Sequence, residues 1–220
     1  MKNKIKWILG FGMMFCLSVV LFWNWLHAPL PQYVGEKKLA PLQKKVDVYT
    51  DSFGVPHVFA ENEKDLFFSA GYIAARERLF QLSMVALAVK GELASVLGDS
   101  YLKTDIYLRT WRIKKVAIEL VRNMKPENKA IFESFCSGIN YWIQESKKDL
   151  PLEFKILGME PSLWDPVIVA GYTRMMAHEM SGSWKPEVVF GAVLDYFGEE
   201  KLSELIPDGE YVFPTIVSER

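Results

Sequence analysis

The 220-residue sequence contains few of the residues that build metal sites and disulfide frameworks. It has two cysteines, Cys16 and Cys136, and three histidines at widely separated positions. Two cysteines are too few for a disulfide-stabilised scaffold or a four-cysteine zinc site. The formal net charge is only -1. Because a nucleic-acid-binding surface needs an excess of positive charge, we expect no nucleic acid partner.

The first 28 residues differ from the rest of the chain. Three lysines precede an uncharged apolar run from Trp7 to Leu26, and about 20 such residues cross a bilayer as a helix. No A-x-A-like cleavage site follows the run, and Trp23 and Trp25 suit a membrane interface. We interpret residues 1–28 as an uncleaved membrane anchor, with a cleaved signal as the alternative. The remainder is then expected on the exported side, periplasmic or extracellular.

The part after the anchor begins with a linker and two strands. Residues 29–44 contain three prolines and are expected to be an extended linker. The β-branched alternation from Val46 to Thr50 predicts a strand, and Asp51 opens a turn. Residues 56–60 predict a second strand, so the sequence indicates a β-hairpin.

Helical periodicity dominates after the hairpin. Asn62 is expected to cap a long helix through Leu87, with a break at Gly71. Further helices are expected at a short segment before Gly98 and over the ranges 126–143, 168–180, 187–196 and 199–206, whereas residues 150–154 and 160–166 have loop-like composition. The sequence therefore predicts a mostly α fold with a short N-terminal β-hairpin.

Glu77 falls on an apolar stripe of the first long helix, four residues after Ile73 and three before Phe80. A buried carboxylate needs a partner. We therefore expect Glu77 to pair with Arg109 or Arg112, unless the stripe ends at an exposed edge.

No catalytic motif can be found from the residues alone. The sequence has no G-x-S-x-G elbow, no H-E-x-x-H helix and no phosphate-binding loop. His57 follows a proline inside an expected strand, and we interpret it as structural rather than as a general base. On these grounds the sequence predicts an exported, mostly helical, membrane-tethered domain and no more.

A series of short motifs adds to this interpretation. They occur in order along the chain: Asp51 to Ala60, Gly71 to Gln81, Gly91 to Leu93, Asp105 with Arg109, Gly138 to Asn140, Pro161 to Pro166 and Ser181 to Glu187. With them, the sequence from about Val46 to Pro214 resembles the penicillin acylase (penicillin amidase) family of N-terminal-nucleophile hydrolases. It resembles the amino-terminal, α-chain part of the family's precursor. Glu77 stands where the family usually has aspartate.

The resemblance implies that residues 45–220 are the α-chain part, an incomplete domain, of a four-layer αββα sandwich. Family precursors cut themselves to expose a nucleophile at the start of the β chain, and that residue's own α-amino group is the base. The oxyanion-hole groups also come mainly from the β chain. No catalytic residue is therefore expected in this chain.

The α part of the family contributes substrate-pocket wall and, in some members, one calcium ligand. The resemblance makes Met175, Met176 and Met180 the candidate substrate-binding residues, since soft methionines suit an apolar acyl group. The alternative is that these methionines belong to the core. Glu187 is the candidate calcium ligand, and the alternative is an acid that favours the start of a helix.

Two functions from different classes follow. The first is the α portion of a hydrolase of linear amides, which releases an acyl group from an amine such as a β-lactam nucleus or a homoserine lactone. It requires a β chain that carries the nucleophile, and a small-molecule amide is its substrate. The second is a non-catalytic, membrane-anchored remnant or binding module from a truncated gene.

Overall fold

The computed structural model of the chain describes residues 2–182 and 184–205. The chain divides into two units, one ending at Met175 and the other beginning at Met176. The first helix, α1 (Lys2–His27), has an apolar stretch from Gly10 that is long enough to cross a membrane. A signal sequence has the same properties, so the stretch fits both interpretations of the N-terminus.

The predicted hairpin is confirmed. Strands β1 (Val46–Thr50) and β2 (Pro56–Ala60) pair antiparallel, with Val48 opposite Val58. The sheet that the described residues form has these two strands only. Asp51 closes the turn, because its Oδ1 accepts hydrogen bonds from the backbone N–H groups of Phe53 and Val55 at 2.9 Å each.

Helices make up the remainder of the first unit. In chain order they are α2 (Glu63–Lys90), α3 (Ala94–Leu97), α4 (Leu102–Thr110), α5 (Ile113–Arg122), α6 (Pro126–Glu145), α7 (Leu152–Leu157) and α8 (Pro166–Met180). Helix α8 continues past Met175 into the second unit. The cap at Asn62 is confirmed, since its side chain accepts a hydrogen bond from the Asp65 N–H at 2.8 Å.

The long helix α2 packs against α6 through glycines rather than breaking at one. A Cβ on Gly71 would lie 2.0 Å from the Phe135 carbonyl oxygen, and a Cβ on Gly138 would lie 1.9 Å from that of Phe68. Only glycine allows backbones to approach this closely. The break expected at Gly71 is therefore wrong. The helix kinks instead at Arg78, whose φ of -140° and ψ of 35° are not helical.

The main core lies between α2, α6, α7 and the start of α8. Its most deeply buried large side chains are Ile139 and Phe154. Asn140 fixes the loop that enters α8. Its amide donates to the Trp164 carbonyl and accepts from the Trp164 N–H, both at 2.8 Å. Residues 150–154 were expected to be a loop, but their second half begins α7 because Phe154 is buried in this core.

The second unit contains the end of α8 and helix α9 (Trp184–Leu205). The interruption expected near Phe197 is confirmed at Gly198, whose φ of 81° is not helical. None of the α9 residues whose burial is described is buried, although Val188 and Val189 are apolar and Tyr196 and Phe197 are large aromatics. The predicted end at Ile206 lies outside the described residues.

Candidate functional site

The three candidate pocket methionines lie on the last turns of α8. Met175 is half-buried and packs against the cluster formed by Leu87, Ala88 and Leu93. Met176 is half-buried, and Met180, one turn later, is 79% exposed. The end of α8 therefore carries a methionine that packs against this cluster, one that is half-buried and one that is largely exposed. The assignment of these methionines to a substrate pocket stays a prediction.

Helix α8 is held against α2 by a close contact at Gly171. A Cβ on Gly171 would lie 2.3 Å from the Val89 Cγ1 atom. The glycine thus lets the helix that carries Met175 pack directly on the end of α2. This contact therefore sets the position at which Met175 meets the cluster of Leu87, Ala88 and Leu93.

Glu187 lies in the first turn of α9 and is exposed. A carboxylate there is favoured by the positive end of the helix dipole. Nowhere in the described ranges do three His, Cys, Asp or Glu side chains come together as a metal-ligand group. Calcium takes six or more oxygens, so Glu187 does not make a site with its described neighbours. The calcium assignment stays a prediction that needs oxygens from elsewhere.

His57 and Asp51 form an exposed pair in the hairpin. The imidazole Nε2 and the Asp51 Oδ2 lie 3.1 Å apart. The Val55 N–H, then the His57 ring and the Phe53 N–H, hold the pKa of Asp51 below its ordinary value. Because these contacts close the turn, the geometry agrees with a structural role for His57.

The partner expected for Glu77 is wrong. Glu77 is exposed, and its carboxylate accepts hydrogen bonds from the Tyr33 hydroxyl and from Arg76 Nε, both at 2.8 Å. Arg109 instead donates from Nε to the Gly91 carbonyl at 2.9 Å. Ile73 and Glu77 both precede the kink at Arg78, so Phe80, which follows it, does not continue their stripe.

Asp105 and Arg109 together hold the connection after α2. Asp105 is buried and accepts hydrogen bonds from the N–H groups of Leu93 at 2.9 Å and Ala94 at 2.8 Å. These N–H groups lie at the start of α3, which lacks a side-chain cap of its own. Asp105 and Arg109, which form one motif of the series, therefore hold the turn between α2 and α3 in place.

Asp65 fixes the linker onto α2 in a similar way. Its carboxylate accepts from the N–H groups of Gln43 and Lys44 and from the Asn62 side chain, at 2.8 to 3.2 Å. Burial raises the pKa of Asp65, but the hydrogen bonds from Gln43, Asn62 and Lys44 outweigh it and hold this pKa below its ordinary value. The Asp65 contacts make the last residues of the predicted linker part of the folded unit.

The Cys136 thiol is buried and is not a nucleophile. Burial, with the Asp165 carboxylate as a second cause, raises the pKa of Cys136 to about 12. A reactive cysteine has a lowered pKa and an accessible sulfur. The interpretation of Cys136 as a core residue agrees with its 4% exposure.

A groove of about 420 Å³ lies between the end of α2 and helices α4 and α5. None of the residues predicted to bind substrate or metal lines it. The sequence signal for the groove is the basic cluster of Arg112, Lys114 and Lys115 at the start of α5.

The Penicillin amidase family profile matches residues 45–214. Penicillin G acylase of Escherichia coli is 28% identical over 188 residues, which are 83% of this chain and 21% of that protein. Penicillin acylase 2 proenzyme of Pseudomonas sp. (strain SE83) is 30% identical over 159 residues, 72% of this chain and 20% of that protein. Acyl-homoserine lactone acylase QuiP of Pseudomonas fluorescens (strain Pf0-1) is 28% identical over 185 residues, 84% of this chain and 22% of that protein. The chain thus spans about a fifth of the length of these relatives.

A solved structure matches the fold as well. The chain aligns with thermostable penicillin G acylase from Alcaligenes faecalis at a TM-score of 0.60 and 26% identity, covering 80% of this chain and 98% of that chain. The matched chain is therefore about four fifths as long as this one. The family match covers most of the sequence and the fold match agrees with it, so this chain belongs to the penicillin amidase family.

Proposed function

We propose that this chain is the α portion of an exported hydrolase of linear amides. In this proposal it works with a β portion that carries the nucleophile, the base and the oxyanion hole. The substrate classes are N-acylated β-lactams and N-acyl-homoserine lactones, which the names of the relatives suggest. The α portion supplies part of the pocket wall through Met175, Met176 and Met180.

The observation that carries the proposal is apolar surface without a described partner. On α9, Tyr196 is 83% exposed and Phe197 is 71% exposed. On the hairpin, Phe53 is 91% exposed and Phe59 is 60% exposed. Monomeric proteins rarely leave such surface uncovered. A β portion that packs on α9 and on the hairpin accounts for both surfaces.

The lengths of the relatives support the same interpretation. The curated relatives are about five times longer than the segment they share with this chain, whereas the segment fills 98% of one chain of the solved acylase. The shared segment therefore corresponds to a polypeptide that exists separately in that solved structure. This parallel supports a two-part enzyme.

The test is an activity assay of the full chain in detergent, alone and co-expressed with the coding sequence that follows it in its genome. Hydrolysis of a phenylacetyl anilide and of an N-acyl-homoserine lactone is measured. We expect no turnover by the chain alone and turnover by the pair. Turnover by the chain alone contradicts the proposal, and a silent pair supports the alternative, a membrane-anchored remnant.

Met175, Met176 and Met180 are here called the methionine wall. Its role is tested in the active pair of α and β portions. Met176→Ser removes a soft apolar contact, so KM for an apolar acyl substrate should rise by about tenfold while kcat is unchanged. Ile156→Ser is the matched control, since Ile156 is 72% exposed on α7. Equal effects of the two substitutions would exclude Met176 from the pocket.

Thermal unfolding of the pair of α and β portions tests whether Glu187 is a calcium ligand. If Glu187 contributes one carboxylate to a calcium ion whose other oxygens lie in the β portion, EDTA should lower the Tm of the pair and Glu187→Gln should remove this sensitivity. The same EDTA effect in the variant would show that Glu187 is not a ligand.

A further inference from the structure

The groove between α2, α4 and α5 has a basic rim. Five of its lining residues are cationic: Lys90, Arg109, Arg112, Lys114 and Lys115. No acidic residue lines it. Across the described ranges, none of the five side chains forms an ion pair with a carboxylate. Like charges this close repel one another, so a bound anion lowers the electrostatic energy of the groove.

The floor of the groove is apolar. Val89 and Ile113 are buried at 2% and 3% exposure, Leu108 is half-buried, and Ile118 at the open side is 40% exposed. A simple inorganic anion has no apolar part that this floor could bury. A ligand with an apolar tail gains by burying it there.

The walls of the groove are fixed by neighbouring contacts. Arg109 donates from Nε to the Gly91 carbonyl, and Asp105 ties α4 to the start of α3. Arg112, between α4 and α5, has a φ of 57°. Among the described residues that are not glycine it alone has a positive φ. The cations of α4 and α5 are thus presented on a backbone that is already ordered.

We propose that this groove binds a free aliphatic carboxylate. The carboxylate lies among Arg112, Lys114 and Lys115, and the aliphatic tail lies along Val89, Ile113 and Ile118. The inference does not rest on the proposed function, because it uses no residue of the methionine wall and no β portion.

The test uses the full chain in nanodiscs of zwitterionic lipid and sodium octanoate as the probe, followed by isothermal titration calorimetry. Heat measured with empty nanodiscs is subtracted. We expect saturable one-to-one binding that is at least tenfold tighter than binding of acetate, which has the charge without the tail. Equal affinity for acetate, or no saturable signal, overturns the proposal.

Two variants locate the site. The double substitution K114E/K115E on exposed residues of α5 should weaken octanoate binding at least tenfold, whereas K147E/K148E makes the same change of charge outside the groove and should leave it unchanged. Ile118→Ser should weaken binding about fivefold, with Ile156→Ser as its control. Equal losses in a variant and its control would show general attraction to the surface.

A second source of the same chemistry is an anionic lipid. Nanodiscs that contain phosphatidylglycerol are therefore compared with the zwitterionic ones. Octanoate binding that the anionic lipid abolishes, together with binding of the chain to that lipid that is lost in K114E/K115E but kept in K147E/K148E, would assign the groove to the membrane and overturn the free-carboxylate proposal. Unchanged octanoate binding supports it.

Discussion

At the scale of single residues, three aspartates act as acceptors for backbone N–H groups. Asp51, Asp65 and Asp105 each accept at least two such hydrogen bonds. Hydrogen bonds to a charged acceptor are stronger than neutral ones. The acids that make the sequence resemble a hydrolase family therefore hold turns and linkers in place.

Asp65 gives a prediction about pH. Its folded-state pKa is below the ordinary value of about 4, so it contributes stability that is fully present above pH 4. That stability is lost as the pH falls through the folded-state pKa. In Asp65→Asn, urea unfolding in detergent should show lower stability at pH 7, and the difference from wild type should narrow below pH 4. A gap that is constant with pH, or the same loss in the exposed control Asp149→Asn, would contradict this prediction.

Cys136 gives a prediction about reactivity. With its pKa raised to about 12, about one thiol in ten thousand is ionised at pH 8. In a Cys16→Ser background, iodoacetamide at pH 8 should leave the native chain unmodified after an hour and label it fully in 8 M urea. Mass spectrometry measures both states. Native labelling as fast as in urea would show that the sulfur is accessible.

At the scale of elements, the α2–α6 contact depends on two glycines. Gly138→Ala places a methyl group against the Phe68 carbonyl and should lower the free energy of unfolding by about 3 kcal/mol. Gly191→Ala in α9 is the matched control, because nothing lies within 4 Å of its Cβ position. The control should stabilise the helix by up to about 1 kcal/mol. Circular dichroism melts of both variants measure the difference, and equal melts would refute the close approach.

The same elements show what a sequence can predict. The hairpin and the cap at Asn62 follow from local turn and capping chemistry, and the sequence predicts both. The position of α4 depends on a contact between separate segments, the hydrogen bond from the Leu93 N–H to Asp105. Glu77 precedes the kink at Arg78 and is exposed, so the apolar stripe ends there at an exposed edge. The groove cannot be predicted from local sequence, because its floor combines Val89 with residues more than 15 positions later.

At the scale of the whole molecule, the N-terminal helix has the length and composition of a membrane anchor or of a signal sequence. Its apolar stretch from Gly10 to His27 is exposed in every described position except the last one, which is half-buried. We predict that the chain stays in the membrane fraction after carbonate extraction and retains its N-terminus, which intact mass spectrometry measures. Substituting Leu17 with Arg places a charge in the stretch and should release the chain into the soluble fraction. A mature chain that begins after residue 28 would instead identify a cleaved signal.

The hairpin has a consequence for the timing of biosynthesis. The outer edges of β1 and β2 present backbone groups that no other described strand pairs with, and open edges are templates for pairing between copies. Ribosomes add about 5 to 20 residues per second, so the hairpin emerges well before any segment encoded later. During that interval the open edges of one nascent chain are available for pairing with those of another. The yield of this chain should therefore fall as its synthesis rate rises, even where its thermodynamic stability is unchanged.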